Sequence, residues 1–260
     1  IKKIIIYPIK SLDGISITDV KISSGGTLSG DREFALLDEN GKYLNGKKNE
    51  KLYHLRTSFD LQQRIVFFKN IIEDTSEYFN LDNERNRIEE WLQDYFSKKI
   101  KFIQNHSSGF PDDVDAYGPT IVSEGSLFEI SKWFDGIPVN ELERRFRPNI
   151  ILDSQQAFLE DCLVGNEQKD FPFTIGNISF IGATICQRCV VPSKDPITGE
   201  KYDSFQKIFA EMRKTTLPEW SDKNRFDHFY RLCINTKIPF SEAGKILSVG
   251  DKLEFAENIS

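Results

Sequence analysis

The sequence predicts a mainly β protein of the α+β kind, with a few helices flanking the strands. Three observations carry this expectation. Short runs of β-branched and aromatic residues recur along the chain with turn chemistry between them. Only three segments repeat apolar residues at helical spacing. Phenylalanine is used 21 times against a single methionine, and large rigid aromatics suit the interiors of barrels and sandwiches.

The strands are read in order. Ile1–Tyr7 is a compact run stopped by Pro8. Ile15 to Ser23 alternates in two registers, Ile15/Ile17 and then Val20/Ile22, so a bulge or break is expected at Thr18–Asp19. Arg32–Asp38 follows, with Asp38-Glu-Asn-Gly41 as a turn. Leu61–Lys69, Lys99–Gln104, Asn149–Leu152, Phe173–Ile181, Arg231–Thr236 and Lys252–Phe255 complete the β set. Ile88, Trp91, Leu92, Tyr95 and Phe96 share one helical face. Ser126–Glu129 fits a capping box with Leu127, Ile130 and Phe134 on one stripe. Phe205, Ile208, Phe209 and Met212 form the third stripe, bounded by Pro218. His106–Pro119, rich in Ser, Gly, Pro and Asp, reads as a domain boundary or functional loop.

A chain of 260 residues supports one large β-rich domain or two moderate ones. The formal net charge of −6 excludes a general nucleic-acid or membrane-surface binder, but is compatible with a local basic pocket. No run approaches the roughly 18–20 apolar residues of a membrane span, and no secretory signal is visible. A cytoplasmic location is expected. Cys162, Cys186, Cys189 and Cys233 are too few for a disulfide framework.

Four clusters can carry chemistry. Cys186-Gln-Arg-Cys189 follows a strand signal. It lacks the βαβ context of a redox pair, and no second cysteine pair or paired histidines complete a zinc site. One of its cysteines can serve as a thiolate ligand or nucleophile, with Arg188 lowering its pKa; the alternative is that both are small buried apolar groups. Tyr7-Pro-Ile-Lys-Ser11 ends a strand, where Lys10 and Ser11 can bind or simply be solvated. Asp31 and Arg32 are either a binding pair or a surface ion pair of little energy, ~0–1 kcal/mol. Arg144-Arg-Phe-Arg147, with three arginines before Asn149, is either an anion-binding cluster or a charged outer face.

In this order, with Ser123-Glu-Gly-Ser-Leu127, Glu160-Asp161, Asp195-Pro-Ile-Thr-Gly199 and Val249-Gly-Asp251 added, the motifs resemble those of the MOSC family over nearly the whole chain. That family includes the C-terminal domain of molybdenum-cofactor sulfurases and the amidoxime-reducing component. The resemblance implies a β-barrel-like N-terminal region over 1–108 packed against a β-barrel MOSC domain over 109–260. It implies a molybdenum cofactor, with Cys189 as the metal's protein thiolate, a soft ligand suited to this metal. Lys10, Ser11, Arg32, Arg147, Asn149 and Arg188 would surround pterin and phosphate. Asp115 matches a family aspartate near the metal. The implied activity is reduction of N-hydroxylated or N-oxide small molecules with electrons from a separate protein. The alternative is a sulfur carrier that bears a persulfide on Cys189 and is loaded by a sulfur donor. Gln187, and Asn45-Gly-Lys47, depart from the family pattern. Neither nucleic acid nor membrane is expected as a partner.

Overall fold

The computed structural model describes residues 1–165 and 171–255. In chain order its elements are β1 (Lys3–Ile6), β2 (Ile15–Ile17), β3 (Asp19–Lys21), β4 (Phe34–Leu37), α1 (Lys51–His54), β5 (Leu55–Asp60), β6 (Ile65–Asn70), β7 (Thr75–Asn80), α2 (Arg85–Phe96) and β8 (Lys101–Gln104). The chain continues through β9 (Ile121–Ser123), α3 (Glu124–Ser131), α4 (Val139–Phe146), β10 (Ile150–Leu152), β11 (Phe171–Ile175), β12 (Ile178–Gln187), α5 (Phe205–Thr215), β13 (Arg231–Lys237), β14 (Ile246–Ser248) and β15 (Leu253–Phe255). The protein is mainly β, as its short strand signals predict. No helix among the described residues is long and apolar enough to cross a membrane.

Eight strands form one sheet in the order β15-β11-β12-β13-β9-β10-β1-β2. β1 buries three consecutive isoleucines because both faces of the sheet are covered. Ile4 and Ile6 pack into the cluster containing Phe173 and Phe180, whereas Ile5 points to the opposite side, among the residues of α3, α4 and α5. A third core, around Phe34, Phe68, Phe79 and Leu92, joins β4, the β5-β6-β7 meander and α2. β1 pairs with β10, and β3 with β14. The start of the chain is therefore hydrogen-bonded into strands that lie beyond position 109, and the two expected parts share one sheet.

Differences from the sequence reading have local causes. The register break at Thr18 separates β2 from β3 as expected. The single run Phe173–Ile181 is a hairpin, turned at Gly176 with φ of 59°. β7 leaves no periodic signal in the sequence, because it buries only Phe79 and leaves its neighbours exposed or half-exposed. α4 shows no apolar stripe, because Val-Asn-Glu-Leu-Glu-Arg-Arg-Phe offers only Leu142 and Phe146 as buried apolar residues. The cap of α3 is Ser123, not Ser126: Ser123 Oγ accepts the Ser126 backbone N–H at 3.2 Å. Ser126 is instead buried inside the helix, and its hydroxyl donates to Glu160 Oε2 at 2.9 Å.

That contact belongs to a buried polar network which absorbs two of the sequence motifs. Glu160 also accepts the Ser123 N–H at 3.1 Å. Asp161 accepts from Arg213, fully buried over the Phe158 ring, and from the Ser221 hydroxyl. Desolvation, with the neighbouring Asp161 charge, pushes the Glu160 carboxyl up to about 7. Its folded pKa lies above the ordinary value of ~4.3, so the native state binds the extra proton between those values. Stability from this group is present below that window and is lost as pH rises through it. We expect the urea midpoint of the wild type to fall between pH 5 and pH 7.5 by an amount equivalent to roughly 1–3 kcal/mol. Glu160→Gln should remove most of that slope; parallel slopes for the two proteins would contradict the assignment.

Candidate functional site

The ends of β1 and β12, the residue after α4 and the loop before β9 open onto one cavity of about 920 Å³. Ten of the residues lining it are Lys or Arg and five are Asp or Glu, in a chain with 34 and 40 of each sign. The acidic protein thus turns a positive interior toward this space, which favours an anionic ligand.

Two motifs build the first wall. The Tyr7 N–H donates to Asp31 Oδ1 at 2.8 Å, and the Arg32 N–H to Tyr7 O at 2.8 Å. Lys10 N–H donates to Phe34 O, and Phe34 N–H to Pro8 O, so the Tyr7–Ser11 segment is zipped onto the entrance of β4. Ser11 and Arg32 both adopt left-handed backbone, with φ of 72° and 48°, a conformation that costs ordinary residues free energy. Ser11 lines the cavity, although its hydroxyl donates to Leu44 O at 3.0 Å. The Arg32 guanidinium pairs with Asp31 and reaches Asn149 Oδ1 at 3.4 Å and Asp112 at 3.5 Å.

Lys10 departs from expectation. It lies behind the lining, where its ammonium donates to Phe110 O and Pro111 O and pairs with Asp112 at 2.6 Å. Burial acts to raise the Asp112 carboxyl, but Arg32 and Lys10 outweigh it and hold the group at about 2. Asp112, whose side chain stays 71% exposed, is therefore an anion shared by the two cations at the cavity's edge.

Arg147 and Asn149 form the second wall. Arg147 ends α4 in left-handed backbone, its N–H donating to Glu143 O at 2.8 Å. Its guanidinium lies over the Tyr7 ring at 4.0 Å. Burial lowers its pKa, partly opposed by Tyr7. Among the described residues its side chain has no ion pair or hydrogen bond. Asn149 lines the cavity but is committed to the protein: Nδ2 donates to Ile5 O, and Oδ1 accepts the Thr120 N–H.

The third wall carries the thiols. Cys186 and Cys189 line the cavity, and Cys189 Sγ accepts the Val191 N–H at 3.5 Å in the turn that follows β12. Arg188 also lines it, but does not act on Cys189 by hydrogen bonding. It donates to Cys186 Sγ at 3.3 Å, Cys233 Sγ at 3.1 Å and Phe146 O at 2.7 Å. Burial pushes the Cys233 thiol up to about 12 and the Cys162 thiol up to about 11, so neither supplies a thiolate near neutrality. No group of three or more His, Cys, Asp or Glu among the described residues is arranged to hold a metal ion. A metal at Cys189 must bring most of its ligands with it.

Asp115 does not reach the cavity. It is exposed, and its N–H donates to Asp113 Oδ1 at 2.9 Å. Asp112 and Asp113 line the space instead. With three aspartates within four residues, spacing alone gave no means of choosing among them. Lys194 and Tyr53, also in the lining, carried no sequence signal beyond their proximity to Cys189 and to the Asn45-Gly-Lys47 segment.

Residues 1–99 match the family model described as the MOSC N-terminal beta barrel domain. Molybdenum cofactor sulfurase of Homo sapiens is 24% identical over 258 residues, 81% of this chain and 28% of that protein. The rat (Rattus norvegicus) mitochondrial amidoxime reducing component 2 is 24% identical over 242 residues, 76% of this chain and 68% of that protein. The chain thus carries a MOSC N-terminal beta barrel domain over residues 1–99. It spans under a third of the length of the sulfurases it matches. In this protein the Tyr7–Ser11, Asp31–Arg32, Arg144–Asn149 and Cys186–Cys189 motifs, far apart in sequence, meet at one cavity.

The Arg147 guanidinium lines the cavity without an ion-pair partner among the described residues, so it could meet an anion without rearrangement. Arg147→Gln should weaken binding of inorganic phosphate about 10-fold or more, the loss of one hydrogen bond to a charged group. Isothermal titration calorimetry on the purified protein checks this, and unchanged affinity would assign the anion site elsewhere.

Proposed function

We propose that this protein holds a molybdenum cofactor in the cavity and reduces N-hydroxylated or N-oxide small molecules there. The observation that carries the reading is the pairing of a half-buried thiol, Cys189, with an unpaired, half-buried guanidinium, Arg147, on one large positive cavity. A phosphate-bearing cofactor that brings its own sulfur ligands needs both. Similarity to the molybdenum cofactor sulfurases and to the amidoxime reducing component supports the same class of ligand.

In this reading Cys189 supplies one thiolate to the metal, a soft donor matched to it. Arg147 and Arg32 take the phosphate, Arg147 without losing any protein partner. Arg32 exchanges Asp112 for the anion, and Lys10 follows through the same carboxylate. Ser11, Asn149 and Arg188 shape the wall; Asn149 and Arg188 do so by fixing backbone and sulfur positions rather than by offering free donors. The bound cofactor supplies oxygen-atom-transfer redox chemistry. The overall conversion is balanced by two electrons and two protons: an N–OH compound becomes an N–H compound and water, with the electrons delivered by a separate protein. Asp115, exposed and outside the lining, has no assigned part.

A second reading uses the same thiol. Cys189 faces the cavity with one backbone N–H on its sulfur, which also suits a persulfide carrier loaded by a sulfur donor. One experiment separates the two readings. Protein purified from a host that makes the cofactor is supplied with a chemical electron donor and an N-hydroxylated amidine. The reductase reading expects turnover in the wild type and at least a 100-fold loss in Cys189→Ala. Absence of turnover in cofactor-loaded wild type, together with a gain of one sulfur on Cys189 after incubation with a cysteine desulfurase, would favour the carrier.

A further inference from the structure

Among the described residues lining the cavity, Lys194 is a buried cation that has neither an ion pair nor a task in the cofactor reading. Lys194 lies five residues beyond Cys189, just after the short helical turn Val191–Ser193. It lines the cavity, yet only 4% of it is exposed. Burying an ammonium is costly unless a carboxylate compensates it. Among the described residues none does: Lys194 forms no ion pair, and its ammonium's one hydrogen bond there is to Gly46 O at a long 3.3 Å. Its remaining support is the Tyr53 ring, 5.1 Å from the ammonium. Nearby carboxylates are otherwise engaged. Asp195 accepts the Ile197 and Thr198 N–H groups at 2.8 Å each, and Asp13 pairs with Arg56. Arg56 in turn donates to Pro196 O at 2.7 Å, which fixes the loop that carries Lys194.

Lys194 belongs with the thiol rather than with the Lys10, Arg32 and Asp112 group. It follows Cys189 in the same loop, and it rests on Tyr53, which lines the same cavity as Cys189. A neutral protein side chain would cost less at this position, so the charge is explained by a ligand that neutralises it.

We propose that Lys194 is a specificity-determining residue, docking a carboxylate carried by the substrate beside Cys189. The inference rests on the reading of Cys189 as the reacting end of the cavity, and it names the substrate class: small N-hydroxylated compounds that bear a carboxylate. The same chemistry could be supplied by the phosphate of the cofactor, and the test separates these two sources.

The test uses benzoate as an unreactive anionic probe and benzamide as its neutral counterpart, titrated calorimetrically into the purified protein. Lys194→Met keeps the apolar stem, and Lys194→Arg keeps the charge. We expect benzoate to bind the wild type at least 10-fold more tightly than it binds Lys194→Met, with Lys194→Arg intermediate and benzamide insensitive to either change. The melting temperature of Lys194→Met should equal or exceed that of the wild type, because an uncompensated buried charge is removed. A lysine that only braces Gly46 and Tyr53 would give the opposite shift. Unchanged benzoate affinity in Lys194→Met overturns the proposal. So does a loss of molybdenum and pterin from that variant without a loss of benzoate binding, which would give Lys194 to the cofactor. If Lys194-dependent benzoate binding is found but no N-hydroxylated compound is reduced, the subsite stands and the reductase reading falls.

Discussion

The side chain of Asn149 is spent entirely within the protein, and the cavity exists because of it. Its Nδ2 donates to Ile5 O in β1, and its Oδ1 accepts the Thr120 N–H and approaches Arg32. One buried amide therefore joins the first strand, the loop that enters β9 and the Asp31–Arg32 turn. Tyr7 extends the junction: its hydroxyl donates to Pro148 O, its N–H to Asp31, and its ring carries Arg147. Buried hydrogen bonds of this kind are costly to leave half-made, so the walls are fixed before any ligand arrives. Removal of either partner would separate segments more than a hundred residues apart.

That rigidity explains how an acidic chain maintains a positive interior. Repulsion among Arg32, Arg147 and Lys10 is offset by Asp31 and Asp112, and Arg147 is further stabilised by the face of Tyr7. Only part of this charge is compensated inside the fold. Arg147 and Lys194 face the cavity without an ion pair among the described residues, and in the proposed reading they would take its anions. The thiols follow a similar division. Arg188 bridges Cys186 and Cys233 across β12 and β13, where the pairing register slips between Ile185 and Gln187. Cys189, one turn further on, is left facing the cavity.

Much of this was legible in the sequence because motifs are local. Tyr7–Ser11, Asp31–Arg32, Arg147, Asn149 and Arg188–Cys189 could each be noticed alone, and their order along the chain resembled one family. The helical stripe of α2 and the register break at Thr18 were equally visible, since apolar spacing records them directly. What spacing could not record is which groups are already satisfied. Asn149 and Arg188 looked like free donors but are committed to protein acceptors. Lys10 is screened behind Asp112. Asp115 could not be told from Asp112 and Asp113, because all three sit in one polar loop and only tertiary packing selects those facing inward. Lys194 gave no signal at all, since an isolated lysine on a loop ordinarily reads as solvated. The edge strand β7 and the polar helix α4 were missed for the same reason: each buries too few apolar residues to show a period.

The central claim is that the Cys189 thiol and the basic cavity together hold a molybdenum cofactor. The most direct test is the molybdenum and pterin content of protein purified from a cofactor-producing host, compared among the wild type, Cys189→Ala and Cys186→Ala. We predict about one molybdenum per chain in the wild type and in Cys186→Ala, and its loss in Cys189→Ala. Equal metal content in all three proteins, or none in any of them although the host supplies cofactor, would contradict the account.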